Sequence, residues 1–177
     1  MMKAEMAFDE LLTQVDRLLA PDAAGVDRSD VVAGLLATLA RRMTDLYEAR
    51  EREVASFHAW LEERLGCPIN DLAGKTSVQE YYEQADADAL LAVIARNHPR
   101  RTSLNVKAPR GYGARNPDRD LIVDAYERSM SILLPVMEQI RLTDRLIDLI
   151  VYRLHGLTES EMALVDAETG YTAGIPA

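Results

Sequence analysis

Apolar residues recur along this chain at steps of three and four, with no alternating stretch of the kind that makes a half-buried strand, so the pattern predicts an all-α protein. Glu5 to Leu19 reads as a first amphipathic helix, with Phe8, Leu11, Leu12, Val15, Leu18 and Leu19 on one side and Pro21 closing it. A long helix follows, capped by Ser29 or Asp30. Its seam runs Leu36, Leu39, Met43, Leu46, Arg50, Val54, Phe57 and Leu61 to Leu65, before Gly66 and Pro68 end it. Thr76 with Gln79 has the spacing of a capping box for a short helix carrying Tyr81 and Tyr82, and Asp86 is placed to cap Leu90 to Ala95. Asn97 to Arg115 reads as basic loop.

A second long helix starts at Asn116-Pro117-Asp118, a capping residue followed by proline and an acid that the helix dipole favours. Its seam is Tyr126, Met130, Leu133, Met137, Ile140, Asp144, Ile147, Val151 and Leu154, which puts one acid inside an apolar stripe. Pro135 removes the bond to the Ser131 carbonyl and should kink the helix. Gly156 stops it with Leu157 as the apolar contact, and Thr158 with Glu161 forms a capping box for a last short helix through Val165. Thr169 to Ala177 reads as a loose tail.

The expected organisation is one domain: an N-terminal helix over 1–22, a first long helix over 29–66, small helices and basic loop over 67–117, a second long helix over 118–156, and a short helix and tail over 157–177. Two long helices so separated pair most simply as an antiparallel hairpin with the middle section at its tip. Facing positions then sum to about 183, which sets Asp144 across from Arg41 and Arg42. Two readings of Asp144 follow. Either it is buried opposite those arginines and fixes register, or it is a solvated flank residue while the stripe drifts onto Leu146 and Ile150.

Composition is that of an ordinary globular chain: 177 residues, 48% hydrophobic and 28% charged. No apolar run approaches the roughly 18–20 residues of a membrane span, and no signal-peptide core stands at the N-terminus, so a cytoplasmic location is expected. The single Cys67 forbids an intrachain disulfide and reads as an inert loop thiol. With His58, His98 and His155 it forms no metal-ligand spacing, so no metal is expected. His155 beside Gly156 suits the helix dipole, and Trp60 and Tyr47 read as core or interface anchors.

Charge is unevenly placed. The chain has net charge −9, yet the segment Arg96 to Arg119 carries seven basic residues and one acid, Asp118, leaving −15 on the remainder. Arginine dominates, since only Lys3, Lys75 and Lys107 are lysine. Arg96, Arg100, Arg101, Lys107, Arg110 and Arg115, with Tyr112 between glycines, are candidate DNA contacts on phosphates, in a segment that would order on binding. The competing reading is a solvated loop that balances acidic helices. No glycine-rich cofactor loop, nucleophile elbow or paired-histidine motif is present, so no catalytic residue is assigned.

The run Thr143 to Asp166 (TDRLIDLIVYRLHGLTESEMALVD) closely resembles the C-terminal segment of adenine-specific DNA methyltransferases of type IIG restriction-modification and related phage-defence systems. Phe57 to Leu65 (FHAWLEERL), Lys75 to Tyr82 (KTSVQEYY) and Ser129 to Ile140 (SMSILLPVMEQI) are similar to successive parts of the same helical region, so the resemblance spans about Asp30 to Asp166. His155 stands where that family usually has Tyr, and Ser160 and Asp166 where it has Glu. The family's glycine motif for its cofactor and its Asn-Pro-Pro-Tyr loop lie far upstream, and this chain has neither.

The resemblance implies a noncatalytic accessory or target-recognition-associated module, with S-adenosylmethionine held only by a catalytic partner. The implied partner is a methyltransferase or restriction subunit, beside the DNA that the basic segment suggests; self-association through the helical seams belongs to the adaptor alternative. Asp144, Asp148, Tyr152, Gly156, Thr158 and Glu161 then have structural roles in packing and capping, with Ile147, Val151 and Leu154 buried and the Tyr152 hydroxyl wet. The alternative is a helical adaptor that binds protein and never touches DNA, for which Met43, Trp60, Met130 and Met137 would suit the surface.

Overall fold

The computed structural model describes residues 2–20, 29–107 and 115–168, and every regular element among them is helical. The helices are α1 (Met2–Leu19), α2 (Ser29–Leu65), α3 (Thr76–Gln79), α4 (Asp88–Asn97), α5 (Pro117–Leu154) and α6 (Glu159–Glu168), with 3-10 turns at Ile69–Asp71 and Tyr81–Glu83. Contacts divide the chain into two compact units, one of residues 1–45 with 140–177 and one of residues 46–139. No described helix is long and apolar enough to cross a membrane.

The unit of residues 46–139 has the larger core. Phe57, Leu61 and Leu65 of α2 meet Leu90, Leu91 and Ile94 of α4 and Ile122, Tyr126, Met130 and Leu133 of α5, around a Tyr81 with no exposed surface. Every seam residue that the spacing assigns to these stretches of α2 and α5 is buried or half-buried. Phe57 and Tyr81 stack with ring centroids 4.2 Å apart, and Tyr126 stands edge-on to Tyr81 at 6.1 Å.

The unit of residues 1–45 and 140–177 is built on Leu12 and Val15 of α1, Val32 of α2, and Leu146 and Ile150 of α5. Here the heptad pattern expected of α5 needs correction. Leu146 and Ile150 are buried, Ile147 and Val151 are only half-buried, and Leu154 is exposed. Asp144 is exposed too, so of its two readings the solvated flank holds. The cause is the mismatch between a 3.5-residue repeat and a 3.6-residue turn, which rotates the stripe off its first track as the helix lengthens.

Several ends follow their local chemistry. The Asn116 Oδ1 accepts from the Arg119 amide at 3.2 Å, which caps α5. At the other end Gly156 has φ +66°, its amide bonds the Arg153 carbonyl, and the Leu157 amide bonds the Tyr152 carbonyl, the pairing of a Schellman cap. The Thr158 amide donates to Glu161 Oε2 at 2.8 Å and the Glu161 amide to Thr158 Oγ1 at 3.4 Å, which completes the capping box of α6. Asp86 Oδ1 accepts from the Asp88 amide at the start of α4. Asp30 lies inside the first turn of α2, where its Oδ1 meets only the next amide, that of Val31, and so does not cap the helix.

The Thr76–Gln79 capping box does not form. Lys75 is already helical and its carbonyl takes the Val78 and Gln79 amides, so Thr76 sits inside the turn, and Gln79 Nε2 donates instead to Asn70 Oδ1. The helix expected to carry Tyr81 and Tyr82 is a single turn followed by a 3-10 turn. The last helix runs past Val165 to Glu168. α5 runs unbroken through Pro135, which lies on an exposed face.

Candidate nucleic-acid interface

The basic segment leaves α4 at Asn97, a side chain 4% exposed that works as a clasp. Its Oδ1 accepts from the Ala73 amide at 3.0 Å, and its Nδ2 donates to the carbonyls of Ala73 and Val93. Thr102 and Val106 are buried next along the segment. Asn116 Nδ2 then reaches back to the carbonyls of Asn105 and Lys107 at 2.6 and 2.8 Å, while Asp118 Oδ2 accepts from the Asn105 amide at 3.0 Å. One asparagine therefore both starts α5 and straps the preceding chain to it. Side-chain bonds thus anchor residues 97–107 near both ends of the stretch.

The cations on and beside these anchors are exposed. Arg96, Arg100, Arg101, Lys107 and Arg115 are all exposed, and none of them makes an ion pair among the described residues. The Arg96 guanidinium passes over Gly74, where a Cβ would come within 3.2 Å of it and where φ is +85°. Arg119 differs, since its Nη2 lies 3.2 Å from Asp88 Oδ1, an exposed pair worth little. Arg110 and Tyr112 lie outside the described residues.

Of the structural residues expected in the C-terminal run, Tyr152 meets an acid that the sequence marks only as a variant position, while Gly156, Thr158 and Glu161 serve the helix ends and Asp144 is exposed. Asp166 is 8% exposed and takes both ends of the Arg145 guanidinium at 2.8 Å each. The Tyr152 hydroxyl donates to Asp166 Oδ1 at 2.9 Å. This corrects the expectation of a wet Tyr152 hydroxyl: it is buried, and α6 brings its acceptor. The Arg145 hydrogen bonds hold the Asp166 carboxyl below the usual range, against its burial. Burial raises the Tyr152 phenol, and the neighbouring Asp166 adds to this. Asp148 is pushed up by burial first and by Asp144 second.

A second buried network joins α2, the turn at Tyr81 and α5. Ser129, 3% exposed, donates to Glu53 Oε1 at 2.7 Å and accepts from the Tyr81 hydroxyl at 2.6 Å. Burial drives the Tyr81 phenol up to about 12. The only sequence signal for this network is register, since positions 53 and 129 nearly satisfy the facing sum expected of an antiparallel pair. Tyr126 donates to the Gln84 carbonyl at 3.0 Å. His58 Nε2 lies 3.1 Å from the Val78 carbonyl, and Cys67 is half-buried with its thiol pushed up by burial. Among the described residues no cluster of three His, Cys, Asp or Glu side chains is placed to hold a metal.

Comparison with known protein families, curated proteins and solved structures finds no match to this chain.

Proposed function

We propose that this chain is a noncatalytic helical module of an adenine-methylating DNA modification or restriction system, acting in the cytoplasm. It docks on a methyltransferase or restriction subunit and helps hold duplex DNA through phosphate contacts. The observation that carries the reading is the set of five exposed cations, Arg96, Arg100, Arg101, Lys107 and Arg115, which have no ion pair among the described residues; Arg100, Arg101 and Lys107 stand on the stretch 97–107 that Asn97 and Asn116 anchor. Arginine forks suit phosphate oxygens, and an anchored backbone over 97–107 lowers the ordering cost of binding. Chemistry and S-adenosylmethionine belong to the partner in this reading, and the resemblance over Thr143 to Asp166 supports this choice of system.

The same proposal takes α2 and α5 as an antiparallel pair that carries the basic segment at its turn. Support comes from the Ser129 to Glu53 bond and from Leu61 and Ile122 sharing one core, both in the antiparallel register. The test is fluorescence anisotropy of a labelled duplex titrated with the full chain at several salt concentrations. Binding that weakens steeply with salt supports the reading, and salt-independent or absent binding removes it.

A protein-binding adaptor is the second reading, favoured by Ile132 and Leu134 of α5, which are 52% and 55% exposed. Light scattering coupled to size exclusion tests its self-associating form: a monomer with no DNA-independent association excludes that form.

A further inference from the structure

On the unit of residues 46–139, α2 and α5 border a groove of about 200 Å³ lined by Glu53, Phe57, Trp60, Arg128, Ser129 and Ile132, with Ser56 and Ala125 completing the wall. The volume lies below the roughly 300 Å³ at which pockets for drug-sized ligands begin, so a ligand here is small. Glu53 and Arg128 have opposite charge and line the same groove, yet form no ion pair with each other among the described residues. The Tyr81–Ser129 chain occupies only Oε1 of Glu53, and no described residue hydrogen-bonds its Oε2. The Arg128 Nε donates to the Asp124 carbonyl, which steadies the side chain and leaves its two terminal nitrogens without a protein acceptor among the described residues. Phe57 and Trp60 pack with centroids 5.9 Å apart and supply an apolar wall with Ile132.

We propose that this groove binds a small zwitterion of the α-amino-acid class, with its ammonium on Glu53, its carboxylate on Arg128 and an apolar side chain against Phe57, Trp60 and Ile132. Two opposite charges held apart over one aromatic wall match a molecule whose own charges are fixed apart, whereas a simple amine or a simple acid satisfies only one of them. The site is separate from the basic segment, and its failure would leave the DNA reading standing.

Trp60 is the only tryptophan in the chain, so its fluorescence reports this groove directly. Titration of the full chain with L-leucine is expected to give a saturable change in the millimolar range. Leucinamide, which lacks the carboxylate, and isocaproate, which lacks the ammonium, should each bind about tenfold more weakly or worse, as should leucine on Glu53→Gln and Arg128→Gln. Arg128 is exposed, so its variant keeps the fold and decides the matter even if Glu53→Gln disturbs Ser129. No saturable change, an equal response to leucinamide or isocaproate, or unchanged binding to Arg128→Gln would each overturn the proposal.

Discussion

Arg145 on α5 and Asp166 on α6 are joined by two parallel hydrogen bonds of 2.8 Å, with side chains 17% and 12% exposed. On α6 Leu164 points to solvent, and Met162 and Val165 are half-buried. Asp166 thus ties the last helix to two side chains of α5, Arg145 and Tyr152.

Asp166→Ala is expected to cost about 3 kcal/mol, since it removes two hydrogen bonds from a guanidinium and one from a phenol in a nearly dry site. Urea unfolding followed by circular dichroism measures it. A loss under about half a kcal/mol would mean that water replaces the carboxylate freely.

The pH dependence of this cluster has two opposing parts. Asp166 has a depressed carboxyl, so its stabilisation is complete above the ordinary aspartate range and disappears as pH falls through the depressed value. Asp148 is raised, so it destabilises the folded chain when ionised, and that penalty is relieved as pH falls through its elevated value. Asp148→Asn should therefore stabilise the chain at neutral pH and have no effect once pH is below the ordinary aspartate range. Denaturation midpoints of the two proteins at neutral and acid pH check the sign.

The Tyr81–Ser129–Glu53 chain sets an order of effects. Tyr81→Phe removes a donor and leaves Ser129 still bonded to Glu53, which costs about 1 kcal/mol. Ser129→Ala strands the buried Tyr81 hydroxyl, and costs about 2 kcal/mol. The reverse order in chemical denaturation would contradict a chain of donation running from Tyr81 through Ser129 to Glu53.

Asn116 has separable duties. Asn116→Asp keeps an oxygen for the Arg119 amide but loses the two donations to Asn105 and Lys107. Helix content should be retained while hydrogen exchange quickens over residues 105–107. Asn116→Ala should lose the cap too, at about 1 kcal/mol. Unchanged exchange in Asn116→Asp would show that Val106 and the Asp118 bond to the Asn105 amide hold the segment without it.

What was legible in the sequence is what neighbours along the chain decide. Asn116-Pro117, Gly156-Leu157 and Thr158 with Glu161 carry their partners within a few residues, and each forms the motif its spacing predicts. The Thr76–Gln79 signal misleads because Lys75 enters the helix first. The rest depends on partners far away in sequence. Asn97 meets Ala73, Ser129 meets Glu53, and Asp166 meets Arg145 and Tyr152, and no local spacing announces such encounters. The drift of the α5 stripe from Asp144 to Leu146 and Ile150 accumulates over a long helix, so it shows only where α1 packs against it. The candidate cations were legible as a charge run. Their fixed backbone was not, since it rests on the Asn97 and Asn116 side chains.

The measurement closest to the central claim is the salt dependence of duplex binding by the full chain, compared with a double variant Arg100→Glu, Arg101→Glu. With five phosphate contacts, log K should fall against log salt with a slope of about −4 to −5, and the double variant should flatten it by about 2 while weakening all sequences alike. A chain whose binding ignores salt, or whose slope survives loss of both arginines, would contradict the assignment of this segment to DNA.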